Sequence, residues 1–170
     1  MSRSDLIHKW LVYALALIPV WLLDAYILPR FPLFGFTPML LPAAVSAVAV
    51  LEGAVAGTGF GMAVGLLWEL AYPGGFGGLV FAMALAGMLI GVLAQFALSQ
   101  SLPGCLFCSG LTAAALDGLR ILRALFTNSA SWEALLSVAI PEVLLSVAWT
   151  LPVWFLFQAV FRRVGGDKLA

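Results

Sequence analysis

The chain has 170 residues, of which 64% are hydrophobic and 9% charged, against roughly 45–50% and 25% in an ordinary soluble domain. A soluble core of this size cannot hide so much apolar surface, so the sequence reads as an all-α, polytopic membrane protein. Eight basic residues balance eight acidic ones, which leaves no net field to attract nucleic acid or an acidic substrate.

Met1 to Lys9 is a charged start. Trp10 to Leu28 follows as the first spanning candidate, near the roughly 20 apolar residues that a bilayer requires, and Pro19 is expected to kink it. No small-residue cleavage site interrupts this segment before Pro29, so it reads as a retained span and not as a removable leader. Pro29 to Phe36 is a loop of prolines and aromatics suited to an interface. The second helix is expected from Thr37, a capping residue, and Pro38, tolerated in a first turn, as far as Leu51. An unbroken continuation would far exceed a bilayer at 1.5 Å per residue, which places a tight turn near Glu52 and Gly53 and a third helix from there to Ala71.

Tyr72 to Gly78 (YPGGFGG) cannot remain helical and reads as a loop. Leu79 to Leu98 is the fourth span, Ser99 to Gly104 a connection, and Cys105 to Phe126 the fifth helix. Asn128 to Ser131 are turn formers, with Ser131 placed to cap a short interfacial helix containing Trp132 and Glu133. The last span is expected to open at Pro141 and Glu142 and to end at Arg162 and Arg163. The reading is therefore six transmembrane helices in one compact bundle, a single domain over 1–170. An even number of spans puts both termini on one side. Arg3, Lys9, Arg162, Arg163 and Lys168 against Arg30, Arg120 and Arg123 assign that side to the cytoplasm.

This orientation gathers Asp24, Glu69, Arg120, Arg123 and Glu142 toward the outer face, with Asp117 somewhat deeper and Glu52 alone on the cytoplasmic side. Charges in lipid need partners, so an outer polar layer is expected in which Glu69 or Asp117 pairs with Arg120 or Arg123. The competing reading is a solvated rim in which these groups snorkel into water, with Asp117 and Arg120 satisfying each other three residues apart as a buried polar pair.

Gly53, Gly57, Gly61 and Gly65 recur at every fourth position and lead in register to Glu69. On a helix this spacing makes one stripe where another backbone can approach closely. The stripe and Glu69 are read as a packing or partner surface; packing within the chain is favoured, with helix two, helix five or another protein left open. Gly87 and Gly91 form a further pair at the same spacing. Cys105 and Cys108 read as small buried residues, and His8 lies far from them, so no metal site is expected. An intramembrane protease would need a histidine within the bilayer, and the single one here lies in the charged tail. The glycine-rich loop lacks the Lys and Ser or Thr of a phosphate cradle. No catalytic residue, no cofactor and no enzymatic activity are assigned.

From about Thr37 onward the order of features resembles the rod shape-determining protein MreD family. The stretch that carries the likeness is Gly59, Phe60, Gly61, Met62, Ala63, Val64, Gly65, Leu66, Leu67, Trp68 and Glu69, an aromatic residue followed by Gly-Leu-Leu and an acid, then a glycine loop and a further apolar helix. The resemblance implies a non-enzymatic component of the bacterial inner membrane that serves peptidoglycan elongation. Its partner would be a membrane-anchored MreC-like protein and, through it, the actin-like filament and the wall synthases. A second similarity is to the S components of energy-coupling factor transporters, which also use about six short helices. That reading makes the outer polar layer a small-molecule pocket.

Overall fold

A computed structural model describes residues 3–31, 35–71, 78–96, 101–127 and 132–164, without the side chains of 3–6, 71, 123 and 132–134. Six α-helices account for nearly all of them, and no β-strand occurs among the described residues. They are α1 (Arg3–Leu22), α2 (Leu40–Glu52), α3 (Ala54–Ala71), α4 (Leu79–Phe96), α5 (Leu102–Phe126) and α6 (Trp132–Arg163). Four segments, Ile7–Ile27, Leu79–Phe96, Leu102–Phe126 and Leu135–Arg163, are long and apolar enough to cross a membrane; α2 and α3 are apolar but shorter.

The short helix α2 is the axis of the fold. All of Leu40 to Leu51 is buried, and α1, α3, α4, α5 and α6 all pack on it. At 1.5 Å per residue its 13 residues reach about 20 Å, well short of a hydrocarbon layer of about 30 Å. Surrounded by protein, it has no lipid to span. This explains an apolar run with no polar face, because a helix hydrophobic all round is one that is enclosed.

Gly53 ends α2 as the sequence requires. Its φ of 90° and ψ of −173° suit glycine and few other residues, its N–H closes α2 on the Ala49 carbonyl, and its own carbonyl accepts from Gly57 to open α3. The α2 start differs from expectation. Neither Thr37 nor Pro38 is in its first turn: Met39 is the N-cap and has no capping side chain. The orphan N–H groups are met from other helices instead, Leu40 by Asp24 Oδ1 of the α1 segment at 2.7 Å and Met39 by Ser146 Oγ of α6 at 2.8 Å. Pro42, in the first turn, withholds a donor that no helical carbonyl would have met.

Prolines interrupt less than the sequence suggests. The α1 ladder stays α-helical through Pro19 and widens only afterward, in a π-helical turn at Leu23–Ile27. The short helix at Trp132 and the span expected from Pro141 are one helix of 32 residues, with Pro141 and Pro152 inside it. A proline frees the carbonyl four residues back, a loss that membrane helices tolerate when neighbours or small adjustments satisfy it. At the start of α5, Pro103 and Gly104 belong to the helix and not to the connection. The loop at 72–77, the turn at 128–131 and the Ser131 cap lie outside the described residues.

The contacts fix the direction of each helix. Lys9 near Glu52 and Asp24 near Leu40 make α1 and α2 antiparallel, and Arg120 near Glu142 with Ser109 near Thr150 does the same for α5 and α6. Odd helices run toward one end, which holds Asp24, Trp68 and Arg120, and even helices run back. We call that end the acidic end and the other the Lys9 end. Toward the Lys9 end the core contains Tyr13, Phe60 and Phe157, with ring centroids 5.6–6.4 Å apart.

Candidate functional site

The glycine stripe faces α4, a helix that the sequence reading does not name as its partner, and at Gly57 also α2, which it does. A Cβ on Gly57 would lie 2.6 Å from the Gly87 carbonyl oxygen and 2.7 Å from Ala49 Cβ; one on Gly65 would lie 2.6 Å from Val80 Cα. A Cβ on Gly61 would press on the Met83 backbone, and those on Gly87 and Gly91 would press on Gly57 and Ala54. The two glycine series thus interlock, backbone against backbone, and α3 with α4 is the most extensive helix pair in the fold. Gly57, Gly61 and Gly65 are occupied within the chain. Gly53 serves the turn.

A different face of α3 is open. Gly59 has nothing within 4 Å of where its Cβ would stand. With Phe60 and Ala63 it forms one wall of an apolar cleft of about 320 Å³ whose other wall is Trp10, Ala14 and Leu17 of α1. The helices α1 and α3 barely touch, so the cleft opens sideways from the bundle. Gly59 and Ala63 are again four residues apart, which keeps the floor low.

At the acidic end the π-helical turn places Asp24 in the interior, where its carboxylate caps the positive end of the α2 dipole. Asp117 of α5 is buried as well. Arg120, one turn later, reaches Asp117 Oδ1 at 3.4 Å and Glu142 Oε1 of α6 at 3.3 Å through the same Nη1. Its guanidinium carbon stands 6.0 Å from the centre of the Trp68 ring, which ties the end of α3 to the group. The Arg120 side chain is 54% exposed, so the polar pair is half buried: Asp117 is inside and Arg120 is at the surface. Asp24 lies within range of the Arg120 and Glu142 charges. Glu69 forms no ion pair among the described residues, and its Oε1 is buried without a hydrogen-bond partner. The side chain of Arg123, the alternative partner, lies outside the described residues.

A second polar site, at the Lys9 end, was not read from the sequence. Glu52 closes α2 at the negative end of its dipole, an unfavourable place for a carboxylate. Lys9 Nζ pairs with Glu52 Oε2, and the buried Tyr13 donates its hydroxyl to Oε1 at 2.8 Å. The signal available was depth: a carboxylate ending an apolar run needs a cation at its own level, and Lys9 is the candidate from α1. Between the two ends, Ser109 and Thr150 bridge α5 and α6 at 2.7 Å, while Thr112, Ser146 and Thr150 also bond back to carbonyls four residues earlier. Cys105 and Cys108 are free and buried in α5. Among the described residues no three His, Cys, Asp or Glu side chains come together as metal ligands.

No family model, no curated protein and no solved structure matches this chain.

Proposed function

We propose that this chain is a non-enzymatic membrane component of the machinery that elongates peptidoglycan and sets cell shape. In this reading it is one six-helix domain of the bacterial inner membrane, with α2 enclosed by the others and both termini in the cytoplasm. It binds a membrane-anchored MreC-like protein by helix packing and, through that partner, the actin-like filament and the wall synthases.

The observation that carries the reading is the division of labour on α3. Its Gly57, Gly61 and Gly65 face is spent on α4, while its Gly59 and Ala63 face is left open in the cleft with α1. Small residues at a four-residue spacing on an open apolar wall let a further helix approach closely. The same helix carries the run from Gly59 to Glu69 that resembles the MreD family.

The test is co-purification from native membranes. A tagged chain is expected to retain a single-span MreC-like protein, and Gly59→Leu or Ala63→Trp, which fill the cleft, are expected to release it while leaving the bundle folded. Retention of the partner by both filled variants would refute the assignment of the cleft, and capture of no such protein would refute the cell-shape role.

A further inference from the structure

No charged side chain and no hydroxyl lines the cleft between α1 and α3. Engineered apolar cavities of about 150 Å³ stay dry and take up benzene, and this cleft, at about 320 Å³, has room for a larger apolar guest. Its floor is fixed, because Phe60 packs edge-on against Tyr13 and Phe157 at 6.4 and 5.6 Å. Its mouth is open, because Ala14, Gly59 and Ala63 are exposed and a Cβ on Gly59 would meet nothing within 4 Å. From Trp10 to Leu17 the cleft runs about 10 Å along α1, which leaves a mean cross-section of about 30 Å². A helix with its side chains is about 10 Å across, or roughly 80 Å². A helix can therefore cover the mouth and send side chains in, whereas a single hydrocarbon chain can lie inside. The α1 wall belongs to a segment long and apolar enough to cross a membrane, so lipid chains are the guests at hand.

The charge at the Lys9 end selects among lipids. Tyr13 and Phe157 stack with ring centroids 6.2 Å apart, on helices that run in opposite directions. His8 lies five residues before Tyr13 and Arg162 five after Phe157, so each stands about 7.5 Å nearer that end. His8, Arg162 and Arg163 are exposed there, while Lys9 is spent on Glu52. Arg3 opens α1 seven residues before Trp10, on the same face of the helix as the cleft wall. With Asp5 and Glu52 set against Arg3, Lys9, Arg162 and Arg163, this end keeps positive charge in excess, whereas at the acidic end the carboxylates outnumber the arginines. Basic residues beside a gap between spanning helices recognise anionic headgroups, and each one near the surface is worth about fivefold in affinity. Trp10, half-buried at the mouth, has the amphipathic ring that settles at headgroup level.

We propose that in the free chain this cleft holds one acyl chain of an anionic phospholipid, with its phosphate at the level of Arg162 and Arg163. The proposal rests on the cleft assigned above to the partner and adds its regulation: a helix that sends side chains into the cleft must displace the lipid.

The experiment uses the full chain, delipidated in non-ionic detergent and titrated with dioleoyl phosphatidylglycerol, with retained lipid counted by native mass spectrometry. Phosphatidylcholine with the same chains and glycerol 3-phosphate, a headgroup without chains, serve as comparisons. One phosphatidylglycerol per chain is expected to bind saturably, phosphatidylcholine at least about fivefold more weakly, and glycerol phosphate not at all. Gly59→Leu and Ala14→Trp fill the cleft from different helices, and each is expected to weaken phosphatidylglycerol at least about tenfold, the equivalent of two methylenes no longer buried. Replacing Arg162 and Arg163 together by Gln is expected to weaken phosphatidylglycerol about fivefold or more and to leave phosphatidylcholine unchanged. Leu85→Trp, on the exposed face of α4, is expected to change nothing. Equal affinity for the two phospholipids, no saturable retention, unchanged retention in the folded cleft variants, or a preference for phosphatidylglycerol that survives loss of both arginines would each overturn the proposal. No partner is present in this measurement, so its failure leaves partner co-purification standing, and failed co-purification leaves the lipid site standing.

Discussion

Replacing a single glycine of α3 by alanine is expected to have opposite consequences at adjacent faces of the same helix. At Gly61 the new Cβ meets the Met83 backbone, and at Gly57 it would stand 2.6 Å from a carbonyl oxygen, where ordinary carbon contacts lie at about 3.5–4.0 Å. The obstructing atoms are backbone and, at Gly57, also the Ala49 Cβ of α2, none of which can turn aside, so α3 must separate by about 1 Å from α4, and at Gly57 from α2 as well, or bend. Overpacking of this kind costs about 1–3 kcal/mol, and the gain in helix propensity from glycine to alanine returns up to about 1 kcal/mol. Gly61→Ala and Gly57→Ala should therefore each destabilise the bundle by about 1–2 kcal/mol net. Gly59→Ala meets open space and keeps only the propensity gain, so it should be neutral or stabilising by up to about 1 kcal/mol. Equilibrium unfolding in mixed micelles, read by tryptophan fluorescence, measures all three on one scale. Equal destabilisation at Gly59 and Gly61, or none at Gly61, would refute the interlocked packing of α3 on α4.

Three further outcomes follow from the polar sites. Lys9→Met or Glu52→Gln alone leaves a largely buried partner unpaired and should cost about 3 kcal/mol, whereas the double variant should recover part of that loss in a double-mutant cycle. Asp24→Ala removes the cap on α2 and should cost about 1–2 kcal/mol, with Asp24→Asn, which keeps an acceptor, costing less; unfolding midpoints distinguish them. Ser146→Ala strips the Met39 N–H of its buried acceptor and should destabilise by about 1–3 kcal/mol, and hydrogen exchange at the start of α2 should accelerate with it.

Much of the helical layout was legible because it depends on local chemistry. The break at Gly53 followed from length: an apolar run from Leu40 to Ala71 is too long for one crossing, and the sequence offers a glycine where the backbone must turn. The end of α3 at Ala71 and the start of α4 at Leu79 followed from the glycine-rich segment between them. The errors came where tertiary partners override local signals. Thr37 is a good cap by type, yet the α2 N–H groups are capped from Asp24 and Ser146, which are near only in space. Pro141 reads as a helix start, yet it is carried inside α6. The glycine stripe showed that something approaches closely but could not name α4, since periodicity describes one surface and not the surface facing it. The sequence allows Glu69 or Asp117 to pair with Arg120 or Arg123; the structure pairs Asp117 with Arg120, adds Glu142 from α6, and gives Glu69 no ion pair among the described residues. Lys9 and Glu52, two lone charges far apart in sequence, share no local pattern, and only their common depth relates them.

The division between a closed and an open face of α3 is tested most directly by site-specific photo-cross-linking in native membranes. With the cross-linker at Ala14, in the cleft wall, a covalent adduct with an MreC-like single-span protein is expected; with it at Leu85, exposed on α4 outside the cleft, none is expected. Adducts of equal yield from both positions, or from Leu85 alone, would contradict the account.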